Sequence, residues 1–256
     1  MKNAGPLATA LAALIVALAA WLGFDLDRLS SGAGQPRPDI AGPPAPSRET
    51  RPEREGEAPP AGVPTGSFDY YVLALSWSPS YCATEASARD ALQCEAKPHA
   101  FIVHGLWPQN ERGYPEDCPT DNPRVPDALA DEMLDIMPSR GLVGHQWRTH
   151  GACTGLTQEA YFAEVRAAFE AVALPPPFAA PDRPMNLAPG EVAAEFARAN
   201  PEMPPGAVVV TCDGDLLDEV RICLSKDRRF RDCGRQSRRG ACRRDRINVP
   251  PPEPTR

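Results

Sequence analysis

The first eighty-one residues contain no cysteine, and no two cysteines anywhere in the chain form a Cys-x-x-Cys pair. The closest cysteine spacings are nine to twelve residues, which is too loose for the usual zinc-binding motifs. An even number of cysteines confined to the remainder of the chain instead indicates a disulfide framework in an oxidising compartment. The eight cysteines are Cys82, Cys94, Cys118, Cys153, Cys212, Cys223, Cys233 and Cys242.

The chain also lacks an overall positive charge, because 34 acidic residues outnumber 27 basic ones and the formal net charge is -7. Proteins that act by holding on to nucleic acid are usually basic, whereas an enzyme that releases its product has no such requirement. One stretch differs from the average: residues 226–246 contain ten Lys or Arg against three Asp. This stretch either binds phosphates or anionic lipid, or is a solvated, disulfide-tied arm.

Large apolar side chains are almost absent from residues 31–66, which are rich in Pro, Gly, Glu and Arg. We therefore expect residues 25–66 to form a disordered, extended linker. The preceding residues 6–24 carry no charge, and Ala17-Leu-Ala19 fits a small-x-small cleavage site. Residues 1–24 thus direct export, either as a signal peptide or as an uncleaved membrane anchor. The folded domain is expected over residues 67–256.

The patterning within this domain mixes strands and helices without regular alternation, which predicts a single α+β domain with a central, mainly antiparallel sheet flanked by helices. Strands are predicted over residues 69–77 and 100–104, the second ending at His104, where residues 105–108 break it. A hairpin is predicted from residues 206–212 and 216–224 around the turn at 213–215. Helices are predicted over residues 127–137, 158–172 with Thr157 as N-cap, and 191–198.

Only four histidines are present, and three of them, His104, His145 and His150, lie in two short segments that also contain Trp and Gly. Histidine both accepts and donates protons near neutral pH. Two histidines on opposite sides of a phosphodiester can therefore cleave RNA, since one deprotonates the ribose 2′-hydroxyl and the other protonates the departing 5′-oxygen. The substrate holds its own nucleophile beside phosphorus, so neither a metal nor an enzyme nucleophile is required.

A metal site is the main rival interpretation of these histidines. His145 and His150 are five residues apart, unlike the four-residue spacing with which two imidazoles on a helix hold one zinc. His104 could add a third ligand, but no acidic partner stands near it in the sequence. Each histidine taken alone also fits a core residue with satisfied hydrogen bonds, and this is the interpretation that we prefer for His99.

The segments Phe-x-x-His-Gly-Leu-Trp-Pro at residues 101–108 and His-x-Trp-x-x-His-Gly-x-Cys at 145–153 resemble the two active-site segments of the T2 family of ribonucleases. The resemblance extends from the aromatic strand at residues 68–77 to Cys242. It implies that His150 is the general base, that His104 is the general acid and that His145 contacts the phosphate or the transition state. It further implies that Trp107 and Trp147 shape the site or pack beside it.

The same resemblance implies four disulfide bonds, although connectivity does not follow from sequence. The implied pairs are Cys82–Cys94, Cys118–Cys153, Cys212–Cys242 and Cys223–Cys233. The resemblance places a base contact at Ser76, where a short side chain contributes little, and Gln109 and Tyr81 are weaker candidates. No base preference is therefore predicted.

Two departures from the family pattern affect the chemistry. The family usually has Glu at the position of Gln146 and Lys at that of Thr149. A carboxylate favours protonated histidines, and an ammonium meets the charge that develops on the phosphorane. Gln146 keeps a hydrogen-bond donor for a phosphoryl oxygen, and Arg148 is predicted to reach the phosphate although its side chain starts in another direction. The expected result is an active enzyme, slower and with an altered pH optimum.

The resemblance and the residues together predict a metal-independent endoribonuclease that needs no cofactor. It cleaves single-stranded RNA through a 2′,3′-cyclic phosphate with little base specificity. The alternative is a catalytically impaired RNA-binding protein of the same fold. The expected location is the periplasm or the exterior, with contact to a membrane only through residues 6–24. RNA is the only partner implied, and a monomer is expected.

Overall fold

The computed structural model describes residues 65–83, 92–96 and 99–252. The predicted export segment at residues 6–24, and the linker up to residue 64, lie outside these ranges. Within the described ranges, no helix is long and apolar enough to cross a membrane.

Strands and helices follow each other in mixed order. The strands are β1 (Tyr70–Trp77), β2 (Phe101–Gln109), β3 (Met185–Leu187), β4 (Val208–Asp213), β5 (Leu216–Leu224) and β6 (Ile247–Val249). The α-helices are α1 (Ser78–Cys82), α2 (Asp127–Asp131), α3 (Arg140–Thr149), α4 (Gln158–Glu170), α5 (Pro176–Ala179) and α6 (Pro189–Ala199). A π-helical turn at Leu92–Ala96 and a 3₁₀ turn at Gly151–Thr154 complete the regular structure.

The strands form one six-stranded sheet in the order β2-β1-β5-β6-β3, with β4 paired to β5. Every pairing is antiparallel except the short parallel contact between β5 and β6. The predicted α+β domain with a mainly antiparallel sheet is therefore confirmed. The predicted hairpin is confirmed too, because β4 and β5 are joined at Gly214, whose φ of 58° is a conformation that glycine adopts readily.

The main core lies on one face of this sheet. Strand β1 contributes Tyr71, Leu73 and Leu75 to it, and helix α4 packs against them through Tyr161. The Tyr161 hydroxyl also donates a hydrogen bond of 3.0 Å to the backbone carbonyl of Leu106 in β2. Burying large apolar side chains stabilises a fold by roughly 1.5–3 kcal/mol each. This packing therefore holds β1 and β2 in place.

Strand β2 is longer than predicted. The second strand is predicted to end at His104, with a break at residues 105–108, but β2 continues to Gln109. The prediction is wrong because these residues pair with β1, where Pro108 lies opposite Tyr71. Proline is tolerated here since β2 is an edge strand of the sheet.

The helix predicted over residues 127–137 is confirmed only in its first part, because α2 ends at Asp131. The chain continues in turns, and the Ile136 carbonyl accepts a hydrogen bond of 2.8 Å from the backbone N–H of Val103 in β2. Pro138 follows soon after and disfavours helical backbone in the residue before it. Pairing with β2 and the proline together explain why the helix does not continue.

Five of the helices and strands were not predicted from the sequence: α1, α3, α5, β3 and β6. Helix α3 begins at an N-cap, where the Ser139 hydroxyl accepts a hydrogen bond of 3.4 Å from the backbone N–H of Leu142. The predicted N-cap of α4 is confirmed, because the Thr157 hydroxyl accepts from the N–H of Ala160 at 3.2 Å. Strands β3 and β6 are three residues each, too short for a pattern to reveal.

Candidate active site

The face of the sheet opposite the main core carries the polar side chains. Residues that lie directly opposite each other in antiparallel strands project from the same face. The opposed pairs on this face are Val72 with Trp107, Ala74 with Arg221, and Ser76 with Glu219. Strands β1, β2 and β5 therefore bring an indole, a guanidinium and a carboxylate together, although 112 residues of sequence separate Trp107 from Glu219.

His104 stands at an irregularity in β2. Gly105 pairs with Ala74 and Val103 pairs with Leu75, so His104 is the extra residue between two paired positions. Bulges of this kind re-aim a side chain and are frequent beside active sites. The shift turns the imidazole of His104 toward β5, where its Nδ1 forms a short hydrogen bond with the carboxylate of Glu219.

Glu219 is the buried anion of the site, and only 3% of the residue is exposed. One carboxylate oxygen meets His104, and the other accepts from Nε and Nη2 of Arg221 at 2.8 and 2.7 Å. Burial alone would raise the pKa of this carboxyl. The hydrogen bond from His104, together with the positive charges of His104 and Arg221, outweighs burial and lowers the pKa to about 2. Glu219 is therefore ionised across the neutral and mildly acidic range.

Glu219 and Arg221 are functional candidates that the sequence analysis missed. No acidic residue stands near His104 in the sequence, because its carboxylate partner, Glu219, is 115 residues away. The sequence nevertheless contains a pattern that places these two residues on the same face of a strand. Within the predicted strand at 216–224, charged Glu219 and Arg221 alternate with apolar Val220 and Ile222, a period of two that assigns both charges to one face.

His150 follows the last residue of α3 and precedes the 3₁₀ turn. The turn is held by a disulfide between Cys118 and Cys153, and the Thr149 carbonyl accepts a hydrogen bond of 2.8 Å from the N–H of Asp117. Gly151 permits this tight turn, because a Cβ there would lie 2.5 Å from the Trp147 ring. The backbone around His150 is thus fixed on both sides.

The electrostatic environment of His150 differs from that of His104. Within the described residues, the buried Nδ1 of His150 has no hydrogen-bond partner. Burial, followed by the positive charges of His104 and His145, lowers the pKa of His150 from 6.5 to about 3. A group with this pKa is neutral at neutral pH, so His150 can accept a proton.

Trp107 packs against both histidines. Its ring centroid is 5.4 Å from that of His104 and 5.3 Å from that of His150. The indole N–H donates a hydrogen bond of 2.8 Å to Oε1 of Gln146, which fixes the orientation of the indole. Gly105 makes room for this contact, since a Cβ there would lie 1.9 Å from Oε1 of Gln146.

Two cavities lie beside these residues, and each is lined by one of the two histidines. The first, of about 320 Å³, includes His150, Trp107, Gln109 and Arg221 in its lining. The second, of about 520 Å³, includes His104, Glu219, Ser76 and Tyr81 in its lining. The base-contact position Ser76 and the two weaker candidates, Gln109 and Tyr81, thus line the two cavities. In the described ranges no three His, Cys, Asp or Glu side chains are grouped as metal ligands would be.

The other site residues predicted from the sequence are His145, Trp147 and Arg148, and they do not all lie beside His104 and His150. His145 is exposed on α3 and near enough to influence the pKa of His150. Trp147 is 3% exposed and donates its indole N–H to the Asn122 carbonyl at 2.7 Å, so it is a packing residue. The structure does not place Arg148 beside the histidines. Arg148 instead lines a separate cavity together with Arg124. Position 148 is roughly 200° around the helix from Gln146.

All eight cysteines are paired, and the pairs are those that the family resemblance implies. Each pair lies 5.0 to 5.5 Å apart between Cα atoms. The bonds are Cys82–Cys94, Cys118–Cys153, Cys212–Cys242 and Cys223–Cys233. The last two tie the basic stretch 226–246 to β4 and β5, and part of the stretch, including Arg239, lines the cavity beside His150.

Comparison with known proteins points to one family. The family model described as "Ribonuclease T2 family" matches residues 68–233. A ribonuclease of Aeromonas hydrophila is 47% identical over 93 residues, which are 36% of this chain and 41% of that protein. Ribonuclease I of Escherichia coli strain K12 is 29% identical over 206 residues, covering 63% of this chain and 77% of that protein.

The fold agrees with this result. An RNase-related protein from Calystegia sepium superposes with a TM-score of 0.57 at 18% identity, covering 73% of this chain and 99% of that one. So low an identity demonstrates a shared fold and nothing further. The chain spans 41% of the Aeromonas protein and less than half the length of two further curated relatives.

Proposed function

The chain belongs to the ribonuclease T2 family, and we propose that it is an endoribonuclease that cleaves single-stranded RNA through a 2′,3′-cyclic phosphate. This proposal is supported above all by two histidines that both pack against Trp107. The first, His150, has a buried Nδ1 and a lowered pKa, and the second, His104, is hydrogen-bonded to a carboxylate. Opposite environments of this kind assign the base and the acid of a proton-transfer reaction.

In the proposed reaction His150 accepts the proton of the ribose 2′-hydroxyl, and the 2′-oxygen attacks phosphorus. The bond from phosphorus to the 5′-oxygen breaks, and His104 donates a proton to that oxygen. The products are a 2′,3′-cyclic phosphate and a free 5′-hydroxyl. Glu219 supports the acid role, because a carboxylate on Nδ1 fixes the orientation of the ring and leaves Nε2 to carry the transferred proton.

Gln146 is proposed to bind a phosphoryl oxygen. An indole N–H can only donate, so its partner on Gln146 must be the amide oxygen. The Nε2 group of Gln146 then faces away from that bond with two N–H donors. We propose the exposed His145 as a second contact to the transition state, in agreement with its electrostatic effect on His150.

The proposal extends to the whole chain. Residues 67–256 are the catalytic domain, residues 1–24 export it as a signal peptide or an anchor, and residues 25–66 are a linker. Four disulfides support export to an oxidising compartment, the periplasm or the exterior. The enzyme acts as a monomer, and RNA is its only partner.

RNA digestion in the presence of EDTA tests the activity and its metal independence together. Purified protein is expected to release oligonucleotides ending in 2′,3′-cyclic phosphate between pH 4 and 8, with no loss of rate in EDTA. Loss of activity in EDTA would mean a metal-dependent hydrolase. Folded protein that binds RNA but releases no product would support the catalytically impaired RNA-binding protein instead.

The pH dependence of kcat/KM is a second expected result. His150 must be neutral to accept a proton, so activity is present above its pKa and declines as the pH falls through it. Since this pKa is lowered to about 3, the acidic limb of kcat/KM should lie well below pH 6, because kcat/KM reports the free enzyme. Rates on a dinucleotide in constant-ionic-strength buffers measure the limb. A limb near the ordinary histidine value of 6.5 would contradict the role of burial.

A further inference from the structure

We propose that Arg221 binds the phosphate at which RNA is cleaved, and that Glu219 positions both Arg221 and His104. This inference rests on the proposed ribonuclease function. The sequence carries no cation at residue 149, where the family usually has one, and Arg148 lies in another cavity. The positive charge that the developing phosphorane requires must therefore come from another part of the fold.

Arg221 reaches the site from β5. It pairs with Ala74 in β1, on the same face of the sheet as Trp107. Its guanidinium carbon lies 5.2 Å from the Trp107 ring centroid. Arg221 also lines the cavity of about 320 Å³ that contains His150. Since Trp107 contacts both histidines, a phosphate between them comes within reach of this guanidinium.

The hydrogen bonds of Arg221 leave part of the guanidinium for a ligand. Nε and Nη2 both donate to one oxygen of Glu219, and no contact of Nη1 with a hydrogen-bond acceptor occurs among the described residues. On that side stands Gly240, where even a Cβ would be 4.0 Å from Nη1. The two N–H groups of Nη1 can therefore bind a phosphoryl oxygen while Glu219 holds the rest of the group in place.

Glu219 links this cation to the general acid. Its carboxylate meets His104 with one oxygen and Arg221 with the other, and its backbone N–H donates to the Thr211 hydroxyl at 3.0 Å. The anion is buried and fixed, so it sets the distance between the imidazole and the guanidinium. Glu219 is a positioning residue, whereas Arg221 touches the substrate.

Binding of uridine 3′-monophosphate, with uridine as the phosphate-free control ligand, tests the inference without turnover. Arg221→Gln is expected to weaken binding of the nucleotide by about tenfold to a hundredfold, the usual effect of a charge-assisted hydrogen bond. Binding of uridine should not change. Arg166→Gln is the matched control, because Arg166 also pairs with a carboxylate, that of Asp135, through two hydrogen bonds, and it lies on α4.

The single variant leaves the buried carboxylate of Glu219 without one of its two partners and can fail to fold, which thermal denaturation would reveal. The double variant Glu219→Gln with Arg221→Gln removes both charges, so no buried carboxylate is left without Arg221, and the amide oxygen at position 219 can still accept a hydrogen bond from His104. It is expected to show the same loss of nucleotide binding, even though it also removes a negative charge from the site. Nucleotide affinity equal to wild type in either folded variant would overturn the inference.

The two proposals fail in different ways. Wild-type protein that binds the nucleotide through Arg221 but cleaves no RNA would refute the ribonuclease function and with it the catalytic purpose of the phosphate site. Active wild-type protein whose nucleotide affinity does not depend on Arg221 would refute the role of Arg221 alone. The split between KM and kcat in Arg221→Gln adds a further test, since a transition-state contact lowers kcat as well as affinity.

Discussion

Replacing His104 with alanine is expected to lower kcat/KM for a dinucleotide by about 10²- to 10⁴-fold, the usual contribution of a general acid or base. His150→Ala should cause a loss of similar size. RNA affinity should persist in both variants, because the cavities and their other polar side chains remain. His99→Ala is the matched control, since His99 lies outside both active-site segments.

The nature of the leaving group then separates the acid from the base. With a p-nitrophenyl ester of uridine 3′-phosphate, the departing oxygen needs no proton, so the His104→Ala defect should largely disappear. The His150→Ala defect should remain, because the 2′-hydroxyl must still lose its proton. An equal defect of His104→Ala on both substrates would show that His104 does not act as the general acid.

The second large effect concerns the Cys118–Cys153 disulfide, which anchors the turn that follows His150. Changing Cys118 and Cys153 together to alanine is expected to lower the free energy of unfolding by about 2–5 kcal/mol, as removal of a native disulfide usually does. Chemical denaturation measures this loss. Because the bond anchors the turn that follows His150, kcat should fall as well at temperatures where the variant is fully folded.

Removal of the Cys82–Cys94 bond provides the comparison. That bond spans 12 residues, against 35 for Cys118–Cys153, and shorter loops lose less entropy on closure. Its double alanine variant should therefore lose less stability. A Cys118–Cys153 variant with the stability and kcat of wild type would show that the bond does not hold His150 in place.

Local patterns predicted much of this protein. The aromatic strand at residues 69–77 and the hairpin at 206–224 follow from apolar runs and a Gly-containing turn, which depend on neighbouring residues alone. The N-cap at Thr157 is likewise a local hydrogen bond. The boundaries of β2 and α2 were wrong, because pairing of residues 105–108 with β1 and of Ile136 with Val103 decides them.

The residues of the site also divide into those that the local sequence predicted and those that only the tertiary structure revealed. The two histidine segments predicted which imidazoles belong to the site, because each pattern is formed by residues that are neighbours in the sequence. Arg148 adjoins them in sequence but projects from another side of α3. Glu219 and Arg221 belong to the site although they lie more than a hundred residues from His104. Proximity in sequence is therefore a poor guide to which charges an active site contains.

The sequence by itself determined the family, the α+β class and the identity of the two proposed proton-transfer histidines, because these depend on local motifs and on periodicity. Only the tertiary structure decided that the Nδ1 of His150 is buried, that the pKa of His150 is lowered, and that His104 meets Glu219. It also decided that Arg221 lies over Trp107. Burial and charge pairing depend on the three-dimensional distances that the register of β1, β2 and β5 sets, and no stretch of sequence contains those distances.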